Sequence, residues 1–406
     1  MTAVPRPWLL TLAALAALAT LSTNILMPSL PLMAQTLGSG EAEMAAVLSL
    51  FLAVFAAAQL VVGPWSDRIG RKPVVLGGLA VFIVGSALGA LAVDLPLLLT
   101  GRALQAMGAA AASVLARAAA RDRFDGPQLA ALLGRIMVVM AAAPGFSPLL
   151  GGLLQAAWGW RAPFVLLVLA GLALAAAYAR IVGETLPAEL RRQQPAVALA
   201  RGYAVLLGDS RFMRPALATA AILGALFAFF GTAPLVLVRQ YGFSALQVGL
   251  FFATSVFVVF AAGRAAPRWS ARRGGPMVLR LGAGLAACGG LAMLAAGTLD
   301  LAGFAAASCV FLFGMGLVSP TGTALALTPF ATQAGQASAL LGFLQMAVAA
   351  ALTTTAATLP AARMDALALV LAGGGLLAWL ASPSGRSPSA RPEKEKGAPQ
   401  GPPFRD

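Results

Sequence analysis

Apolar runs about 20 residues long recur from one end of this chain to the other, and that is the length an α-helix needs to cross the hydrocarbon core of a bilayer. They lie near residues 8–27, 44–63, 74–93, 95–116, 130–154, 162–182, 215–238, 245–264, 277–297, 301–324, 336–358 and 364–381, twelve in all. Glycine and proline are abundant within them, as membrane helices allow when neighbouring helices satisfy the freed backbone groups. With 60% of its residues hydrophobic and 10% charged, the 406-residue chain is an all-α integral membrane protein, and a soluble domain is excluded. The first run, Trp8 to Met27, has no clear cleavage site and is followed by many more spans, so it reads as a retained helix rather than a signal peptide.

The charge, +14, is distributed as a topology marker. Twenty-three of the 28 Lys and Arg residues fall at the amino end, in alternate loops or the span ends that border them, in the central loop and in the tail; the other loops hold Arg161, Arg239 and Arg363, and Arg102 and Arg135 lie further inside spans. By the positive-inside rule both termini are cytoplasmic. The basic residues form short clusters rather than one continuous face, which argues against a nucleic-acid partner. There is no histidine, and Cys288 and Cys309 sit in apolar runs as small packing residues. Metal sites, cofactor sites and nucleophile pairs therefore lack raw material.

Four domains follow: a six-helix bundle over 1–182, a cytoplasmic central loop over 183–214, a second six-helix bundle over 215–382 and a disordered cytoplasmic tail over 383–406. Gly63 and Gly263 follow the second and eighth spans, 200 positions apart, and the later loop looks like a degraded echo of the earlier one. In the earlier loop, Gly63-Pro64-Trp65-Ser66-Asp67-Arg68-Ile69-Gly70-Arg71-Lys72-Pro73, the glycines relieve crowding, Pro73 suits the first turn of the next helix and Asp67 can face a positive helix end. Arg68, Arg71 and Lys72 are expected to stay in water.

Three spans carry unusual residues. The fourth places Arg102 in Gly101-Arg102-Ala103-Leu104-Gln105-Ala106-Met107-Gly108, where a mid-membrane guanidinium costs ~2.5–3.5 kcal/mol on insertion scales and should face the interior or a water-filled cavity. The fifth contains Ala143-Pro144-Gly145-Phe146-Ser147-Pro148-Leu149-Leu150-Gly151-Gly152, a composition that predicts a bent helix packed tightly on a partner from the other half. The first ends Ser22-Thr23-Asn24-Ile25-Leu26-Met27-Pro28-Ser29-Leu30-Pro31.

The 63–73 loop resembles the signature between helices two and three of the major facilitator superfamily. Arg102, Gln105 and Gly108 match that superfamily's R-x-x-Q-x-x-G motif, whose arginine is tied to proton coupling. Pro144, Gly145, Pro148, Gly151 and Gly152 fall in a stretch similar to the G-P-x-x-G-G motif of drug/proton antiporters, with Ser147 replacing its first glycine. The first span, together with Gly183-Glu184-Thr185-Leu186, the central Leu206–Phe212 stretch and Gly335–Gly342, is similar to the bicyclomycin/chloramphenicol resistance group, with the match running through nearly all twelve spans. The resemblance implies two pseudo-symmetric bundles, alternating access, and export of small amphiphilic compounds across a bacterial inner membrane in exchange for protons, by a monomer in the bilayer. It also implies gating by Gly63, Asp67, Arg68, Gly70 and Arg71 and by the fifth-span motif.

One departure stands out. The group commonly carries an aspartate near the position of Asn24, and here all fourteen acidic residues lie in loops, the tail or span ends. Asn, Gln and Arg do not exchange protons near neutral pH, so the coupling group is unassigned. Asn24 and Arg102 are expected to share the cavity. Gln105, Gln59, Gln345 and Phe230, with Phe227 and Phe229 beside it, line it or serve as helix packing. An uptake carrier or uniporter for a small metabolite is the alternative that Asn24 favours, whereas an enzyme or receptor finds no supporting ligand set.

Overall fold

The computed structural model describes residues 5–124, 126–191, 196–295, 301–359 and 363–383. Over them the chain is helical, with no strand. The first crossing comes in two pieces, α1 (Arg6–Asn24) and α2 (Leu30–Thr36), joined by the 3-10 turn Met27–Ser29. Pro28 causes the break, because it offers no N–H to the carbonyl of Asn24 four residues earlier. The other helices of the first half are α3 (Glu41–Ile69), α4 (Arg71–Ala90), α5 (Leu95–Arg123), α6 (Gly126–Trp158) and α7 (Ala162–Ala177), the last extended by a π-turn to Val182. After α8 (Ala196–Gly208) come α9 (Ser210–Tyr241), α10 (Ala245–Arg273), α11 (Gly275–Ala295), α12 (Leu301–Leu327), α13 (Ala334–Thr358) and α14 (Arg363–Ala381). Eleven crossings are long and apolar enough to span a membrane among the described residues, counting α1 and α2 as one, and the 33-residue α6 supplies the twelfth.

Several helices overrun their predicted ends, α3 and α10 among them. Hydropathy marks only the stretch in lipid, whereas a helix satisfies its own backbone and continues into water at little cost. The expected 63–73 loop therefore shrinks to Gly70, whose φ of +105° suits glycine alone. Gly274, at φ +82°, makes the same one-residue turn between α10 and α11. The structural echo thus pairs Gly70 with Gly274, 204 positions apart, and the match of Gly63 to Gly263 is displaced by four residues because α10 runs further. The central segment is also corrected: it contains α8, and α9 already begins at Ser210. Leu206 of α8 joins Phe212, Ala216, Ala337, Leu340 and Leu341 in one apolar cluster, so α8 is docked on the second half. The predicted tail, apart from Pro383, lies outside the described residues.

Each half repeats the same packing, α4 on α5 and α7 in the first, α11 on α12 and α14 in the second. The halves meet along two helix pairs, α3 with α13 and α6 with α10. At the end of the bundle away from Gly70 the Met27–Ser29 turn touches α6, α9 and α10, and Gly231 of α9 lies between Leu48 and Thr353. This junction leaves a space of only about 20 Å³, bordered by Leu30, Met44, Leu48, Thr232, Thr353 and Arg363. Large apolar side chains such as Val84, Leu169, Leu172, Leu377 and Leu380 are exposed on the outside, as a lipid-facing surface requires.

Candidate functional site

Arg102, on α5, is 1% exposed, and no carboxylate pairs with it among the described residues. Its Nε donates to the Val47 carbonyl of α3 at 3.2 Å, and one Nη donates to the Ser22 carbonyl of α1 at 3.1 Å and to Oε1 of Gln105. The guanidinium also lies over the Phe51 ring, 4.2 Å from its centroid. The Ser22 carbonyl is in the last turn of α1, where the helix leaves its carbonyls unpaired and carries partial negative charge. The end of α1 thus presents an acceptor from the first crossing to the arginine of the fourth.

Burying an ion costs several kcal/mol. Hydrogen bonds to a charged group contribute roughly 1.5–3 kcal/mol each and a desolvated cation–π contact about 2 kcal/mol, enough together to offset that cost. Gln105 extends the knot by donating from Nε2 to Ser86 Oγ of α4 at 2.7 Å, and Ser86 donates to the Phe82 carbonyl at 2.8 Å. Gly108 completes the motif sterically, since a Cβ there would collide with Gly78 and Phe82 of α4. One polar chain ties α1, α3, α4 and α5 inside the first half.

Asn24 is fully buried near this knot's α1 end; its Nδ2 donates to the Thr20 carbonyl at 2.8 Å, while Oδ1 has no partner. No hydrogen bond joins Asn24 to Arg102. Both were expected to share the cavity, and the structure buries both among the surrounding helices. An unpaired buried amide oxygen is costly, and among the described residues of the first half Asn24 Oδ1 shares that state with Ser29 Oγ, at the break of the same crossing, and with Gln155 Oε1 of α6.

The remaining polar candidates are spread apart. Gln59 is buried where α3 meets α13, with its amide against Gly342, a position with no room for a methyl group. It lies twelve residues, about 18 Å, along α3 from the Val47 carbonyl. Gln345 is half-buried on α13, one turn from Gly342. Phe230 is buried in an aromatic cluster of the second half, its ring 5.3 Å from Phe252 and 6.1 Å from Phe229. Of the fifth-span motif, Gly151 packs directly against the Ile25 carbonyl just past the α1 break, and Pro148 and Leu149 lie against Gly249 of α10. Gly152 is buried too. The helix is continuous over its whole length. Pro144 and Gly145 fall within its backbone, and their surroundings lie outside what is described.

A second polar cluster sits at the opposite end of the first half, between α3, α4 and α5. Arg71 was expected in water and is instead 8% exposed. Its guanidinium bonds Asp67 at 2.5 Å, Asp122 of α5 at 2.9 Å and Ser66 Oγ at 2.5 Å, and Ser66 in turn donates to the Gly63 carbonyl at 2.7 Å. The two carboxylates are what make burial tolerable. Asp67 therefore faces this side chain, and the positive end of α4 is taken by Glu184, which accepts from the backbone N–H of Arg71 at 2.9 Å and of Lys72 at 3.2 Å. Burial opposes ionisation of Glu184, but backbone N–H groups of Leu186, Arg71, Lys72 and Thr185 hold its carboxyl below the usual range. Thr185 Oγ1 donates to Asp122 at 2.9 Å and closes the ring. Arg68 stays exposed.

Asp122 and Glu184 were not singled out as gating residues from the sequence, where they read as loop acids. The signal available was the pairing of the Gly183-Glu184-Thr185-Leu186 stretch with a basic loop more than a hundred residues away, which only the fold brings together.

Two bundles of six crossings, each with a one-residue turn at the matching place, meeting along two helix pairs, define a polytopic membrane transporter. The family model "Major Facilitator Superfamily" matches residues 12–354, and the chain belongs to that family. It is 29% identical over 381 residues to the multidrug resistance protein D of Escherichia coli K12, covering 92% of this chain and 94% of that one. It is 31% identical over 329 residues to the multidrug resistance protein MdtL of Citrobacter koseri, covering 78% and 80%. Among solved structures, the human organic anion transporter MFSD10 (TETRAN) shares the fold with a TM-score of 0.70 at 19% identity, over 93% of this chain and 99% of that one.

Proposed function

We propose that the protein exports small amphiphilic organic compounds across the inner membrane of a bacterium by alternating access between its two halves. Relatives that carry drug-resistance names along almost the full chain support this reading. The geometric observation that carries it is the fit of the fifth-span motif: Gly151 on the Ile25 carbonyl and Pro148 on Gly249 seal α6 to both α1 and α10 at the outer side. A seam that tight blocks leakage of ions alongside the cargo. In this reading both termini are cytoplasmic, the carrier works as a monomer, and Asn24, Arg102, Gln105, Gln59, Gln345 and Phe230 contact substrate or relay its binding when the halves separate. The apolar walls with few uncharged polar groups suit an amphiphile.

Export is driven by proton exchange in this reading. A second reading, facilitated movement with no proton coupling, is favoured by one observation: the place where a carboxylate would titrate holds Asn24, with its Oδ1 unpaired. Accumulation of a chloramphenicol-like probe in everted vesicles decides between them. Export driven by protons gives accumulation that collapses with a protonophore, whereas accumulation down the probe's own gradient, indifferent to protonophore, rejects antiport. If Asn24→Asp then confers proton dependence that the parent lacks, the native carrier is uncoupled.

A further inference from the structure

The two halves differ at one equivalent place, and the difference leaves a hole. In the first half, Gly70 is followed by Arg71, whose side chain fills the corner between the ends of α3 and α5, and Glu184 caps the first N–H groups of α4. In the second half, Gly274 is followed by Gly275, which has no side chain to place there. The corner between α10, α11 and α12 is instead a cavity of about 410 Å³, walled by Ala266, Gly275, Pro320, Ala324, Leu325 and Pro329.

Three observations say what would enter it. Ser270 and Thr321 line the cavity from opposite helices, and neither hydroxyl has a hydrogen-bond partner; Thr321 is 6% exposed. No side chain accepts from the first N–H groups of α11 among the described residues, and the chain beyond α14 has no acid before Glu393 to take the part of Glu184. Arg273 continues the face of α10 that carries Ala266 and Ser270, one turn nearer the cytoplasm, and makes no ion pair among the described residues. An apolar chamber, two unsatisfied hydroxyls, an uncapped positive helix end and a free guanidinium ask for one chemistry.

We propose that this cavity binds an anionic amphiphile, its acid group at the α11 N-terminus and Arg273 and its apolar body in the chamber. The ligand supplies in the second half what Arg71 and Glu184 supply in the first. The inference does not depend on which compound the carrier transports.

The full-length protein in phosphatidylcholine nanodiscs, exposed to a photoactivatable diazirine fatty acid, tests it by mapping the label with mass spectrometry. Label is expected within 266–275 and 320–329. Arg273→Gln should lower it about tenfold, the loss of one charge-assisted contact, and Ala324→Phe, which fills the chamber, should abolish it. Both variants should melt within a few degrees of the parent. Laurate should compete and dodecanol should not. Competition by phosphatidylglycerol as well assigns the site to a bilayer lipid, and competition by laurate alone assigns it to a soluble acid. Equal labelling by the matching neutral alcohol probe, or label spread evenly over the lipid-facing helices, overturns the proposal.

Discussion

Arg102 serves three acceptors in different directions, and lysine cannot do so with a single ammonium. Arg102→Lys is therefore expected to lose transport as fully as Arg102→Ala while keeping the charge. Either variant leaves buried acceptors unpaired, at roughly 1–3 kcal/mol for each one orphaned, so purified protein should unfold at visibly lower temperature. Transport retained in Arg102→Lys would show that charge alone matters there. Gly151→Leu should abolish transport, because the Ile25 carbonyl occupies the space its side chain needs; an assay of probe efflux in cells lacking their own exporters reads this directly. The sequence showed Arg102 as an anomaly because charge is conspicuous in an apolar run. It did not show the acceptors, because backbone carbonyls belong to every residue and only the packing of α1 and α3 on α5 decides which two of them meet the guanidinium.

At the level of the helices, Glu184 joins the start of α4 to the segment after α7. Its folded carboxyl titrates below the ordinary carboxylate value of about 4.3. The stabilisation it supplies is thus fully present above that ordinary value and is lost as pH falls through the depressed one. Melting temperatures of parent and Glu184→Gln should differ at neutral pH, with the parent higher, and converge in strong acid. A constant gap across that range would mean that the carboxylate acts through shape instead. Helix number was legible from the apolar runs, and helix type from their length. Helix ends were not, since Gly63 to Ile69 and Gly263 to Arg273 continue as helix in water with nothing in their hydropathy to announce it. Nor was α8, a short helix whose apolar face matters only once α9 and α13 are beside it.

For the whole molecule, exchange between inward and outward access requires the halves to move along the α3–α13 and α6–α10 seams. Replacing Gln59 and Gly342 by cysteine, in a background without Cys288 and Cys309, should allow an oxidative cross-link that stops transport and is reversed by reductant. Full transport by the cross-linked protein would place the moving surface elsewhere. The arrangement of crossings has its own check: a maleimide that does not permeate should label Lys72→Cys only from the cytoplasm and Arg161→Cys only from outside.

Single-residue turns at Gly70 and Gly274 leave no slack between the helices they join. Each such pair must behave as one stiff lever, unable to spread its two arms where they join. Lengthening either elbow by a few flexible residues would let one arm lag behind the other, so such insertions should uncouple the stroke while sparing the affinity of the resting state for its cargo.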